Sequence, residues 1–337
     1  MGSTEVSFPG LGLKFTVNPV AFHLFGMEVY WYGLIIALGV ALCASLAFLH
    51  CKKNKFSADL VCDILLVSLP SAIVGARLYY VLCNWSYYSE DLKRVFDTRS
   101  GGLAVYGGVM GAFLGAYIMC RIRKIPFSTC ADYCIVYIPL GQAIGRWGNF
   151  VNQEAFGTTT NLPWGMTSSD VVSYLERNCP HLNSALPVHP TFLYESLFNL
   201  CLFFALLWIR NRSKHIYETT SCYMIFYGIC RFFLEGLRTD SLYIGSTNIR
   251  TSQLLSLVLV LAGLAIIIYV RSAEKVRVAL PERFFAVAEK SEATEAETAE
   301  EASEEASVEA SEESSEAEAD ETGDADKADK EKESEEE

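Results

Sequence analysis

SQLLSLVLVLAGLAIIIYV, residues 252–270, runs its whole length without a charged side chain. About 19 apolar residues make an α-helix long enough to cross the roughly 30 Å hydrocarbon layer of a bilayer. Read as a membrane span, this stretch makes lipid the solvent against which the rest of the chain is judged. Six further apolar stretches lie upstream, near residues 29–49, 60–83, 103–120, 127–145, 192–209 and 219–234. Pro139, Gly141 and Gly145 interrupt the fourth, and the sixth is short. The pattern predicts an all-α polytopic membrane protein of about seven transmembrane helices.

The segments between the stretches alternate in charge. Lys52, Lys53 and Lys55 follow the first; Arg121, Arg123 and Lys124 the third; Arg210, Arg212 and Lys214 the fifth; Arg271, Lys275 and Arg277 the seventh. If every stretch crosses, all four clusters share one side, which the positive-inside rule makes the cytoplasm. The amino terminus is then outside and the carboxyl terminus inside. The chain divides into an extracytoplasmic segment (1–28), a helical membrane domain (29–275) and a cytoplasmic tail (276–337). Within the membrane domain, residues 150–190 contain Gly157, Pro163, Trp164, Gly165 and Pro180, the turn formers of a small extracytoplasmic cap. Trp164, Trp85, Tyr87 and Tyr88 suit an interfacial aromatic belt on the same side.

The formal net charge of -13 misleads until it is located. From Ser291 to Glu337 there are 22 Asp/Glu against 3 Lys, a net of -19, which leaves +6 on residues 1–290. That tail holds no aromatic residue and cannot bury enough apolar surface to offset the entropy of ordering, so it reads as disordered and solvating. The 11 Cys are scattered, mostly through apolar runs, with no CxxC pair. They form neither a disulfide framework nor a zinc site, and packing is their default role. No metal or cofactor is expected. The first apolar run lacks a basic leader, so no cleavable signal peptide is read.

Against this apolar background the polar residues stand out. Gly145-Arg146-Trp147-Gly148-Asn149-Phe150-Val151-Asn152-Gln153-Glu154-Ala155-Phe156-Gly157 places a guanidinium, carboxamides and a carboxylate at the edge of a span. Charge is expensive there, and a bound polar ligand explains it better than folding does. Arg77, Arg146, Arg231 and Arg238 all lie in or beside apolar runs. Singly, each is an ion-pair partner as readily as a clamp; together they favour an anionic substrate, because guanidinium forks match phosphate and stay charged when desolvated. Tyr227, Arg231 and Glu235 follow at i, i+4 and i+8 on one helical stripe, and Arg146 with Glu154 reads as a second cation–carboxylate set. His189-Pro190-Thr191-Phe192-Leu193-Tyr194-Glu195 opens the fifth stretch, with Pro190 suited to a first helical turn. Glu195 there either orients an arginine or stays protonated. Gly101, Gly102, Gly107 and Gly108 allow close backbone approach, while Gly111 and Gly115 read as a helix-packing face.

The pattern Gly145-Arg146-x-Gly148-Asn149-Phe150-x-Asn152-x-Glu154-x-x-Gly157 resembles the signature of the prolipoprotein diacylglyceryl transferase family. Other segments are similar in order and spacing: Trp31-Tyr32-Gly33; Gly75-Ala76-Arg77-Leu78-Tyr79-Tyr80; His189-Pro190 with Tyr194-Glu195; and Tyr227-Gly228 with Arg231, Glu235 and Arg238. The likeness covers roughly residues 15–275 and omits the tail. It implies an enzyme of the bacterial cytoplasmic membrane, its site toward the outer face. The family transfers the diacylglyceryl group of phosphatidylglycerol to the lipobox cysteine of a prolipoprotein signal peptide and releases glycerol phosphate. Those two substrates and membrane lipid are the partners expected, and no nucleic acid.

On this likeness Arg146, Arg231, Tyr106, Glu154 and Glu235 are the expected catalytic residues. Asn149, Asn152, Gly157, Tyr32, Arg77, Tyr80, Tyr227, Arg238, His189, Tyr194 and Glu195 are the expected substrate-binding set. One departure stands out: Tyr106-Gly107-Gly108 replaces the His-Gly-Gly of many family members. A phenol, with a reference pKa of about 10, is a poor base at neutral pH. The thiol proton is left to arginine-assisted ionisation, His189 or a carboxylate, with Tyr106 as a hydrogen-bonding group. An organic-anion transporter would also suit internal arginines, but the chain has no internal repeat or paired interrupted helices. A non-catalytic lipid-binding receptor would bind the lipid without forming a product.

Overall fold

The computed structural model describes residues 2–276 apart from 52, 98–100, 244–246 and 248. The acidic tail expected from residue 291 lies outside the described residues. In chain order the elements are β1 (Thr4–Phe8), β2 (Leu13–Val17), β3 (Val20–Leu24), β4 (Met27–Tyr30), α1 (Trp31–Leu49), α2 (Ala58–Cys83), α3 (Trp85–Tyr88), α4 (Val105–Arg123), α5 (Phe127–Cys134) and α6 (Ile138–Val151). They continue as β5 (Thr167–Ser168), α7 (Ser169–Asn178), α8 (Thr191–Arg212), α9 (Glu218–Leu237) and α10 (Thr251–Ser272).

Five helices, α1, α2, α4, α8 and α10, are long and apolar enough to cross a membrane. The other two expected spans are helical but fall short for different reasons. The fourth is broken: α5 ends at Cys134, a 3-10 turn occupies Ile135–Tyr137, and Pro139 sits in the first turn of α6. Proline is tolerated there because its missing N–H has no intrahelical partner to lose. The sixth, α9, has the length but carries Glu218, Arg231 and Glu235. These charges belong to the site and to the opposite end of the bundle.

α2 and α4 pack along a seam of small residues. A side chain on Gly75 would strike the backbone of Gly107 and Gly111, and one on Gly111 or Gly115 would strike Ser71. The glycines let the two backbones approach in lipid, where packing rather than water expulsion drives association. α8 runs antiparallel to α6. The Phe192 and Phe150 rings lie 4.7 Å apart, and one turn further on Ser196 Oγ donates to the Ala143 carbonyl at 2.8 Å.

The all-α expectation misses a small antiparallel sheet, ordered β2-β1-β5, that joins the amino-terminal segment to the cap. Val6 and Phe8 point into a core with Phe156, Met166, Val171, Leu175, Cys179, Val188 and Phe192. The alternation of Thr4, Val6 and Phe8 with Glu5 and Ser7 is the period of a half-buried strand. Ser168 caps α7 by accepting from Val171 N, and Thr4 Oγ1 donates to Asp170 at 2.8 Å. The cap is therefore built from the amino-terminal strands together with residues between Phe156 and Phe192.

Candidate active site

The site forms where α6, α8 and α9 converge. Glu195, in the first turns of α8, is its centre: its side chain is 4 % exposed, and each oxygen meets a different arginine. Arg146 Nη2 on α6 lies 2.8 Å from Oε1, and Arg231 Nη1 on α9 lies 3.3 Å from Oε2. Arg231 Nη2 also pairs with Glu235 Oε2 at 2.7 Å, one turn along its own helix. Two guanidiniums and two carboxylates make a formally neutral cluster, which is how these charges are held in a membrane protein's interior. Glu195 Oε1 and Glu235 Oε2 have no aligned hydrogen bond despite these short separations, so charge rather than directed bonding holds them.

A hydrogen-bonded chain leads from this cluster toward the surface. Arg146 Nη1 donates to Asn149 Oδ1 at 3.1 Å, Asn149 Nδ2 to Glu154 Oε1 at 2.8 Å, and Asn152 Nδ2 to the same oxygen at 3.5 Å. The expected Arg146–Glu154 set is thereby corrected. Arg146 faces α8 and pairs with Glu195, whereas Glu154 lies beyond the end of α6 in a tight reversal, flanked by Gln153 (φ 53) and Ala155 (φ 59). Asn149 is the hydrogen-bonded link between Glu154 and Arg146. Tyr32 and Tyr227 complete the surroundings. The Tyr32 ring lies on Gly148, where a Cβ would come within 2.7 Å of it, and the phenol is within electrostatic reach of Glu154 and Arg146. Tyr227 is similarly placed against Glu195, Arg146 and Arg231, and its ring stacks on Tyr223 at 5.4 Å.

Gly157 has a backbone role. Its N–H donates to the His189 carbonyl at 2.9 Å, Thr158 N donates to the Leu237 carbonyl at 2.8 Å, and a side chain on Gly157 would collide with His189 Cβ. It ties the cap simultaneously to the start of α8 and the end of α9. Burial holds the His189 imidazole below its ordinary pKa, and its Nδ1 is 3.2 Å from the Tyr194 hydroxyl. Trp164, expected in an interfacial belt, donates to that hydroxyl at 2.7 Å.

The chain matches the family model described as prolipoprotein diacylglyceryl transferase over residues 19–269. This chain belongs to that family. It is 47% identical over 248 residues to phosphatidylglycerol--prolipoprotein diacylglyceryl transferase of Finegoldia magna, covering 73% of this chain and 93% of the relative. The protein of the same name from Clostridioides difficile is 40% identical over 259 residues, covering 77% and 98%. That from Clostridium novyi is 41% identical over 255, covering 75% and 95%.

Several residues expected to bind substrate in this family member lie apart from the cluster. Arg77 is the clearest correction. Its Nε donates to the Val95 carbonyl, Nη1 to Gly101 and Gly102, and Nη2 to Arg94 and Asp97, at 2.6–3.0 Å. A guanidinium has five N–H groups, so none remains for a headgroup in this arrangement. Arg77 is a clasp for the loop between α3 and α4. Tyr80 belongs to the same clasp, its ring against Tyr88 and beside Gly102. Arg238, by contrast, stays within electrostatic reach of Glu195 and Glu235, while Asp240 engages it in a two-pronged pair at 2.9 and 2.7 Å. Tyr106, at the start of α4, places its hydroxyl 3.2 Å from Ser252 Oγ at the start of α10. Asp240, Ser196, Gln142 and Asn199 were missed as members or neighbours of the site. Only Asp240, two residues after Arg238, had a signal in the sequence.

Proposed function

We propose that this protein transfers the diacylglyceryl group of phosphatidylglycerol to the lipobox cysteine thiol of prolipoproteins, forming a thioether and releasing glycerol phosphate. The observation that carries the reading is the pair of half-buried guanidiniums held together by one buried carboxylate. Family membership supplies the substrates. In the reaction a thiolate sulfur forms a bond to the terminal diacylglyceryl carbon, and the carbon–oxygen bond to phosphate breaks with its electron pair going to the phosphate oxygen. The thiol proton leaves to a base or to the departing phosphate.

Charge therefore grows on a phosphate monoester as the bond breaks. Donors fixed beforehand at that place stabilise the transition state more than the substrate. Arg146 and Arg231 are such donors, since Glu195 and Glu235 engage only part of each fork and settle its orientation. Asn149, Asn152 and Glu154 hold Arg146 from the other side, with Tyr32 and Tyr227 as walls. Tyr106, hydrogen-bonded toward Ser252, serves as a positioning group rather than as the base.

We further infer seven crossings, with α5–α6 and α9 completing the set. The basic residues after α1, α4, α8 and α10 support a cytoplasmic carboxyl terminus and an outward-facing cap and site. On this reading residues 29–275 form the catalytic membrane domain of a bacterial inner-membrane enzyme. The test is direct: incubate the purified protein with phosphatidylglycerol and a lipobox peptide, and measure peptide mass and released glycerol phosphate. A diacylglyceryl mass gain with matching glycerol phosphate is expected. Lipid binding without a thioether product would replace the enzyme with a receptor.

A further inference from the structure

The three helices that carry the charged cluster do not become apolar one turn deeper. Residues four apart share a helix face about 5–6 Å apart. Asn199 thus lies inward of Glu195 on α8, Gln142 inward of Arg146 on α6, and Tyr223 inward of Tyr227 on α9. Gln142 Nε2 donates to the Tyr223 hydroxyl at 3.0 Å, so the α6 and α9 rows meet at this depth. The antiparallel register of α8, set by Phe192 against Phe150 and Ser196 against Ala143, brings the next α8 turn to the same level.

Asn199 is 0 % exposed, and among the described residues neither Nδ2 nor Oδ1 has a hydrogen-bond partner; Gln142 Oε1 is likewise buried and unpartnered. A fully buried carboxamide that bonds to nothing is costlier than a leucine of similar size. Its two atoms call for a ligand that both accepts and donates. Directly above are two guanidiniums, so the ligand is neutral where it meets the carboxamides and anionic where it meets the arginines.

We propose that Gln142, Asn199 and Tyr223 form a hydroxyl-binding floor that takes the free glycerol of the lipid headgroup while its phosphate rests on Arg146 and Arg231. The proposal rests on the transferase reading and adds a source of headgroup selectivity to it. Each glycerol hydroxyl gives one hydrogen bond and accepts another, matching the carboxamides. An ethanolamine ammonium only donates and brings positive charge toward two arginines, and a choline cannot donate at all. A buried water has the donor–acceptor character of a hydroxyl, and the experiment separates the two.

The full-length protein in nanodiscs is given a lipobox peptide and either phosphatidylglycerol or phosphatidylethanol, which has the same charge and no free hydroxyl. The wild type is expected to favour phosphatidylglycerol. Asn199→Leu and Gln142→Met should each reduce that preference about tenfold, the effect of one lost hydrogen bond, chiefly through KM for phosphatidylglycerol. Thermal unfolding with each lipid gives a readout independent of turnover: phosphatidylglycerol should stabilise the wild type beyond phosphatidylethanol, and the variants by equal amounts with both. An unchanged preference in folded variants, or a lipid-independent shift in stability alone, assigns the floor to buried water and overturns the proposal. Absence of any transfer from phosphatidylglycerol by the wild type would instead remove the enzyme reading.

Discussion

Arg77 and Arg146 are both arginines drawn into the helical bundle, and their partners make them opposites. Arg77 is 6 % exposed and directs its donors to carbonyls of the loop that follows α3. Neutral carbonyls saturate a guanidinium while leaving it a net cation, and nothing about that arrangement changes during a reaction. Arg146 and Arg231 instead share a carboxylate, and their bonds engage only some of their N–H groups. Their charge is balanced and their forks are partly unspent. An arginine clasp and an arginine clamp thus differ in what accepts from them, a distinction invisible in the residue type.

The largest expected effect comes from breaking the clamp. Arg146→Ala and Arg231→Ala should each lower kcat by on the order of 10²–10³-fold, the cost of one donor to developing negative charge. Arg146→Lys should rescue little, because an ammonium cannot reproduce a planar fork. Near wild-type rates in both alanine variants, measured as thioether formation, would end the comparison. Next in size is Glu195→Gln, which leaves two half-buried guanidiniums short of one buried carboxylate. Breaking a buried pair costs about 3–5 kcal/mol, so a lower unfolding midpoint and a reduced rate should appear together. Glu235→Gln, which removes only one of the two carboxylates at Arg231, should do less.

Arg77→Met should show the converse, a lower unfolding midpoint with kcat near that of the wild type once the protein is folded. A kcat loss matching that of Arg146→Ala would place Arg77 in the reaction after all. Tyr106→Phe should change the rate only slightly, and the rate–pH profile should keep its shape. A new ionisation on introducing Tyr106→His would show that this position can exchange protons with the thiol. The smallest effect concerns His189. Because burial lowers its pKa, its imidazole should titrate below the ordinary value of about 6.5 by NMR. Below that value the unfolded chain binds more protons than the folded one, so stability should fall as pH drops and recover above it.

The spans were legible because lipid demands an unbroken apolar helix, and α1 and α10 meet that demand almost residue for residue. The Arg231–Glu235 pair was legible because four residues is a helical neighbour distance. Glu195 was recognised as unusual, but its two partners lie on other helices, 36 and 49 residues away in sequence, and no local pattern announces such a meeting. The clasp made by Arg77 was not legible because its acceptors are backbone carbonyls, which every residue carries. Asn199 and Gln142 passed unnoticed because a neutral amide in an apolar run barely disturbs hydropathy. The strands before α1 escaped because lipid-facing helices dominated the reading, although Val6 and Phe8 already alternated with polar neighbours.

β1 is the middle strand of its sheet, yet Thr4 and its partner Asp170 are 166 residues apart. At a synthesis rate of about 5–20 residues per second, the first strand waits roughly ten to thirty seconds for the segment that completes its pairing. During that interval Val6 and Phe8 have no finished core to enter, and this end of the protein is a candidate client for chaperones or proteases. Folding of this membrane protein thus closes on its earliest strand, with Thr4–Phe8 acting as the last fastening.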